Sequence, residues 1–354
     1  MINKKRQLQA AILILAAAFI AGIVMVQYKK QELKRYEGNF LGSFDTVTVI
    51  TGYAGSQEEF SGWMGKLQEK LQHYHELFDI YHTYEGIPNM KTINDAAGRD
   101  AVKVDEEIIK LLKFGKDMYG KTEGQINIAY GSVLSLWHEY REEGMLDVKN
   151  ATLPPEELLR EREKHTDIEK LVIDEKASTV YLADEEMSLD VGSIGKGYAV
   201  QRLAEYAKEI GMEHVLISVG GNVCAIGSKA DGQPWKVGVE NPDMESSQSY
   251  LKTIDIADES VVTSGDYQRY YEVDGKRYCH IIDPDTGMPA RHFPSVSVVT
   301  GDSGLADALS TALFNMEFEE GLSFVEMLPD VEAMWIMKDG GIRYSSGFKV
   351  NEKE

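Results

Sequence analysis

Residues 264–314 read SGDYQRYYEVDGKRYCHIIDPDTGMPARHFPSVSVVTGDSGLADALSTALF, and the mixture of strand and helix signals within this stretch decides the fold class. Tyr278 to Ile282 reads as a short strand closed by a Pro-Asp-Thr-Gly turn, Ser295 to Thr300 as another strand, and ADALSTALF as a helix. At 100° per residue, Leu305, Leu309, Ala312, Leu313 and Met316 fall on one stripe of that helix, with Asp307, Ser310, Thr311 and Phe314 opposite. Asp307 and Thr311 therefore stack one turn apart. A carboxylate and a hydroxyl so placed are hard oxygen ligands of the kind that suit magnesium or calcium. The macrodipole gives a second account, because it favours an Asp in a first helical turn without any ligand.

Working outward, helical spacing recurs at Glu59 to Phe78, Glu106 to Tyr119, Ile128 to Tyr140 and Pro155 to Glu163. Strand patterns appear at Phe44 to Ile50, Leu171 to Asp174, Thr179 to Ala183, Val215 to Val219, Val223 to Ile226, Trp235 to Val239, Ala333 to Met337 and Gly341 to Ser345. Helices and strands come in mixed order without regular alternation. That order predicts an α+β fold: mixed, largely antiparallel sheets packed with helices, in a single large globular domain spanning 38–354.

Ahead of that domain lie a basic leader at 1–9, an apolar segment at 10–28 and a polar, basic stalk at 29–37. The uninterrupted run from Ala10 to Val26 behind Lys4, Lys5 and Arg6 predicts a membrane anchor, with a cleaved export signal as the alternative. Lys29, Lys30, Lys34 and Arg35 follow the run, so flanking charge leaves the orientation nearly balanced. With 354 residues and 43% hydrophobic content the chain can bury a substantial core. A formal net charge of -21 argues against nucleic acid as a partner, since phosphate backbones would be repelled. The two cysteines, Cys224 and Cys279, lack metal-type spacing, and whether they are bridged is left open.

Two further motifs carry chemistry. Asp190-Val191-Gly192-Ser193-Ile194-Gly195-Lys196-Gly197 is a glycine-rich turn opening a helix that runs to Ile210. Backbone N–H groups and the positive dipole end make such a place an anion site, to which Lys196 adds a full charge. The turn is not a P-loop, because Asp190 stands where that pattern needs its first glycine and Gly197 where it needs Ser or Thr, nor a dinucleotide fingerprint, because the glycines at 192, 195 and 197 have the wrong order of gaps. In the strand around Tyr278, His280 alternates with Ile281, so one of the two should face inward. Asp283 is near enough in sequence to orient or charge the imidazole for proton transfer.

Taken in order, DVGSIGKGYAV, LISVGGNVCAIG, PWKVGVENP, SGDYQRYYEVDGKRYCHIIDPDTGMP and ADALSTALF resemble the ApbE family of FAD:protein FMN transferases. LGSFDTVTVI at 41–50 resembles that family's first strand, and GQINIAYGSVLSLW at 124–137 its flavin-side helix. The resemblance implies magnesium-dependent transfer of the FMN half of FAD to a threonine hydroxyl of an acceptor flavoprotein, with AMP leaving. It implies metal positions at Ser193, Asp307 and Thr311, with Ser310 as an accessory. Flavin-nucleotide contacts are implied at Leu41, Tyr81, Gln125, Ile126, Asn127, Asp190, Lys196 and Ile281. His280 is the candidate for deprotonating the acceptor, with Asp283 as its partner or as a second candidate. The partners implied are FAD and an exported or membrane acceptor protein, and the resemblance puts the catalytic domain on the extracytoplasmic side. Leu41 stands where the family often has methionine, Asn127 where it often has aspartate, and Gly195 where alanine is frequent. The Asn127 change removes a charge near the flavin but leaves an amide able to hydrogen-bond. The competing readings are a magnesium-dependent FAD pyrophosphatase giving FMN and AMP, and a membrane-tethered flavin-binding module without turnover.

Overall fold

The computed structural model describes residues 32–349. Its spine is an eight-stranded sheet whose strands lie side by side in chain order: β1 (Lys34–Leu41), β2 (Val47–Ala54), β3 (Val215–Val219), β4 (Asn222–Ile226), β5 (Ser260–Gly265), β6 (Ser295–Thr300), β7 (Val331–Ile336) and β8 (Ile342–Tyr344). Every neighbouring pair is antiparallel. The sheet is thus one meander with long excursions between its strands, and the α+β expectation holds. The long excursion from β2 to β3 carries α1 (Gln57–Phe78), α2 (Met90–Asp95), α3 (Glu106–Lys121), α4 (Gly131–Leu146), α5 (Glu156–Glu163) and α6 (Gly195–Glu209), with a small sheet from Val102–Lys103, Leu171–Asp174 and Thr179–Leu182. α7 (Ser303–Asn315) and α8 (Phe318–Glu326) lie between β6 and β7.

Strand periodicity sends alternate residues to opposite faces. In β6, whose six residues are all buried, Val296 and Val298 join the main core beneath α6 and α7. Val299 joins a second cluster, with Trp235, Val237, Val239, Ile254 and Ile256, under a hairpin of Trp235–Glu240 and Tyr250–Ile256. A third cluster, including Val133, Trp137, Tyr271 and Tyr278, seats α4 on the hairpin Tyr270–Val273/Lys276–Cys279.

Some boundaries differ from the sequence reading. Lys34 to Glu37, assigned to the stalk, form the first half of β1, because they pair in register with Thr51 to Ala54 and Tyr36 stacks on Phe60 at 5.6 Å. Phe44 and Asp45, assigned to a strand, instead take left-handed backbone angles in a short turn at Ser43–Asp45. The Phe44 N–H donates to His75 Nδ1 on α1 at 3.2 Å, which holds that turn against the helix. α7 is not amphipathic. It is wedged between the sheet and α6 and is buried nearly all round, its polar stripe included. Cys224 and Cys279 are buried free thiols. Among the described residues no helix is long and apolar enough to cross a membrane. The leader at 1–9 and the expected anchor at 10–28 lie outside the described residues.

Candidate active site

Above the main core, a cavity of about 640 Å³ opens between α4, the start of α6, the flank of α7 and the segment before β6. That volume is in the range of small-molecule and cofactor sites. Tyr81, Gln125, Asn127, Asp190, Ser193, Lys196, His280, Ile281, Asp307 and Thr311 all line it. Residues 230 positions apart in the chain are therefore brought to one wall system, as the motifs required.

The glycine turn explains itself in three dimensions. Asp190 Oδ1 accepts from the Gly192 N–H at 2.7 Å, closing the turn, and α6 starts at Gly195 without a side-chain cap. A Cβ on Gly197 would stand 2.3 Å from Asp307 Cβ and 2.3 Å from the Ser303 carbonyl, so only glycine lets α6 and α7 pass this closely. The closeness is used: the Gly197 N–H donates to Asp307 Oδ2 at 2.7 Å. One of the N–H groups expected to be free for an anion is therefore taken by a carboxylate. Asp302 caps α7 by accepting from the Leu305 N–H at 2.9 Å. Asp307 lies beyond the first turn, so the macrodipole account does not apply to it. Instead it is buried at 6% exposure, where loss of solvent pushes its carboxyl above the usual range against the pull of Lys196. Lys196 is pushed down by the same burial and held up by Asp307. One turn on, Thr311 Oγ1 reaches Ser264 Oγ at 3.4 Å, and Ser264 is tied to Ser310 Oγ at 2.8 Å. Among the described residues no group of three or more His, Cys, Asp or Glu is arranged to hold a metal.

The expected His280–Asp283 pair does not form. Asp283 accepts from the Asp285 N–H at 2.9 Å and from Thr286 Oγ1 at 2.8 Å, so its carboxylate shapes the Pro-Asp-Thr-Gly turn. Nor does strand alternation separate His280 from Ile281. The strand breaks after Cys279, and both residues line the cavity. The His280 N–H donates to the Arg269 carbonyl at 3.0 Å, while Nδ1 is buried with no partner. Burial, with Arg269, Arg141 and Lys196 nearby, pushes the imidazole down to about 3, so it is neutral at ordinary pH.

On the opposite wall, Asp79 accepts from the Tyr81 N–H at 2.6 Å and from Tyr84 Oη at 2.7 Å, which fixes the loop that presents the exposed Tyr81 ring. Gln125 donates to Asp285 Oδ2 at 2.8 Å, and Asn127 donates to the Thr166 carbonyl while accepting from the Ala129 N–H at 2.9 Å. Asn127 thus holds its loop with the amide that the sequence assigned to flavin. Four candidates lie outside the cavity lining: Asp283, the accessory Ser310, Leu41 and Ile126. Leu41 is exposed at the end of β1, because the chain turns before reaching the wall, and Ile126 is core, with its N–H given to Thr122 Oγ1.

Sequence reasoning missed Arg141, Arg269, His138, Asn222 and Asn315, which also line the cavity. Arg141 Nη2 lies 2.6 Å from His138 Nδ1, and the His138 ring is 5.3 Å from that of Tyr81. Both amide atoms of Asn315 are buried without a partner, while the Asn222 amide lies beside Asp307 and favours its charged form. The one signal available for Asn315 was its spacing, four residues beyond Thr311 on the stripe that Asp307 begins.

The ApbE family model matches residues 42–335. The chain belongs to the ApbE family. Relatives in that family include a FAD:protein FMN transferase of Klebsiella pneumoniae (strain 342), 32% identical over 255 residues that cover 72% of this chain and 76% of the relative. A FAD:protein FMN transferase of Treponema pallidum (strain Nichols) is 32% identical over 272 residues, covering 73% of each chain. Among solved structures, the ApbE protein of Thermotoga maritima aligns with a TM-score of 0.76 at 30% identity, over 88% of this chain and 97% of its own. The flavin transferase ApbE of Vibrio cholerae aligns with a TM-score of 0.73 at 26% identity, over 89% and 99%. The ApbE fold is therefore common to all of them, and the motifs quoted from this chain fall on one cavity within it.

Proposed function

We propose that this protein transfers the FMN moiety of FAD to a threonine hydroxyl of an acceptor flavoprotein, releasing AMP. The observation that carries the reading is the convergence of Asp307, Thr311, Ser193, Lys196 and a neutral His280 on one dinucleotide-sized cavity in a chain of the ApbE family. Relatives named FAD:protein FMN transferase supply the reaction class.

Within that cavity the basic groups Lys196, Arg141 and Arg269 are placed to hold an anionic diphosphate, against the sign of a chain whose net charge is -21. Positioning and charge neutralisation are the main demands of phosphoryl transfer. The acceptor hydroxyl oxygen bonds to the FMN phosphorus, the bond from that phosphorus to the bridging oxygen breaks, and AMP leaves with that oxygen. The hydroxyl proton passes to a ring nitrogen of His280, which is neutral and whose Nδ1 has no protein partner. A hard cation fits the donor set, since Asp307, Thr311 and Ser193 offer only oxygens and a buried carboxylate is steadied by a positive charge. Magnesium held there would neutralise charge on the phosphate oxygens when bound.

The same proposal takes the apolar run behind the basic leader as an anchor at 10–28 and, from the family resemblance rather than from flanking charge, puts the domain outside the cytoplasm. Incubation with FAD, magnesium and a candidate acceptor, read by intact mass, tests the chemistry. The acceptor is expected to gain one FMN unit. Free FMN and AMP with an unmodified acceptor would replace transfer by pyrophosphate hydrolysis, and retained FAD without turnover would replace it by simple binding. Protease accessibility of the domain in intact cells tests the location.

A further inference from the structure

A buried carboxamide without partners is costly, because each orphaned donor or acceptor forgoes its hydration. Asn315, the last residue of α7, is 5% exposed, lines the cavity, and has no protein partner for either Oδ1 or Nδ2. Gln125 and His280, which also line the cavity, each have one fully buried side-chain atom without a partner. Asp307, Thr311 and Asn315 fall at steps of four along one ridge of α7. With a rise of 1.5 Å per residue, the amide sits about 6 Å beyond Thr311 and about 12 Å beyond Asp307 along the helix axis. A diphosphate held at Asp307 and Lys196 does not extend that far, so the group meeting Asn315 belongs to a substituent of the phosphates. An amide also suits a neutral group with a donor and an acceptor side by side, rather than a phosphate oxygen.

We infer that Asn315 is a substrate-reading residue whose carboxamide hydrogen-bonds, as donor and acceptor together, a neutral part of FAD lying beyond the diphosphate. The inference rests on FAD being the substrate. The shared chemistry is a paired donor–acceptor edge, offered by the ribityl-flavin half and by the adenosine half alike, and binding of fragments separates the two.

The experiment compares the full chain with its Asn315→Leu variant. Melting midpoints are measured without ligand, and affinities for FAD, FMN and ADP are measured by calorimetry. Removing an orphaned buried amide for an apolar group of similar size should leave the ligand-free midpoint equal to or above that of the unaltered protein. FAD affinity should fall about tenfold, the order expected for one lost buried hydrogen-bonding group. The fall should appear with FMN or with ADP, and not with both. FAD affinity within twofold of the unaltered protein overturns the inference, as does a lowered midpoint accompanied by equal losses for FMN and ADP. Asn315→Val repeats the measurement if leucine does not fold, and failure of both to fold makes the amide structural and overturns it too. An unaltered protein that binds FAD but modifies no acceptor sinks the transferase reading and leaves this one standing. An unaltered protein that binds no FAD sinks both.

Discussion

The two faces of the main sheet are built to different rules. Beneath the hairpin of Trp235–Glu240 and Tyr250–Ile256, the contacts are Val237, Val239, Ile254, Ile256, Val261, Val299, Met334 and Ile336, with Trp235 Nε1 donating to the Gly227 carbonyl at 3.2 Å. Each polar atom of that tryptophan is satisfied and every apolar one is covered. Beneath α6 and α7, the same strands β4 and β5 present Asn222 and Ser264 toward a cavity in which buried polar atoms lack partners and a carboxylate lies beside a lysine. Unpartnered buried atoms gather at the cavity on the second face, whereas on the hairpin face Asp255 Oδ1 is the exception to apolar packing. The second face sacrifices stability at Asn315 and His280, because a buried polar atom without a partner forgoes its hydration.

The sharpest way to break this comparison is Asp307→Ala. If the carboxylate serves chemistry, transfer should fall by about 10³-fold or more, on the scale of losing a preorganised charge-stabilising group. The Gly197 N–H and Lys196 lose their buried partner, so the fold should be weakened and transfer is compared per folded molecule. Transfer at the unaltered rate would refute the assignment of the cavity wall to a cation. The matching change on the other face is Trp235→Ala. Deleting this 3%-exposed side chain should cost about 3–5 kcal/mol of stability in denaturant unfolding, while kcat per folded molecule stays constant. A fall in kcat with intact folding would mean that the faces are coupled.

His280→Ala tests whether the broken strand after Cys279 matters. FAD affinity should remain within a few fold, and transfer should slow by about 10²-fold, the lower end for losing a general base. Loss of folding would instead make the imidazole a structural residue.

How far the sequence disclosed these two faces depends on the kind of signal. Val215–Val219 and Ser295–Thr300 were legible to the residue because β-branched alternation is local. Tyr250–Ile256 and the start of β1 were not, since LKTIDI mixes charge with apolar residues and its burial depends on Trp235 and Val237 lying opposite in register. Within the site, Asp307, Thr311, Ser193 and Lys196 could be found by spacing and resemblance, because each sits in a short motif. Asn315 and Asn222 could not, because an asparagine in a sequence does not reveal whether its amide will be paired. The Asp283 assignment failed for a related reason. Nearness in sequence suggested His280, but an Asp ahead of Pro-Asp-Thr turns its carboxylate back on its own backbone.

The smallest effect is a proton linkage. Without ligand, burial and the charges of Arg269, Arg141 and Lys196 hold His280 down to about 3, against an ordinary value near 6.5. The unfolded chain takes up this proton below pH 6.5 and the folded chain does not, so His280 costs the fold stability progressively as pH falls from about 6.5 toward 3. An anionic diphosphate among the same cations would offset their field, though not the burial that is the larger cause, and lift the imidazole part of the way toward its ordinary value, so binding would carry proton uptake. FAD affinity should then rise on acidification, by at most about tenfold between pH 7.5 and pH 5.5, the limit set by full restoration of the ordinary value. His280→Ala should flatten that rise. Calorimetry in buffers of different ionisation enthalpy reads the proton count directly. An uptake of zero at pH 6 would mean that burial, the larger cause of the shift, keeps the imidazole neutral whatever the ligand does to the field of the three cations.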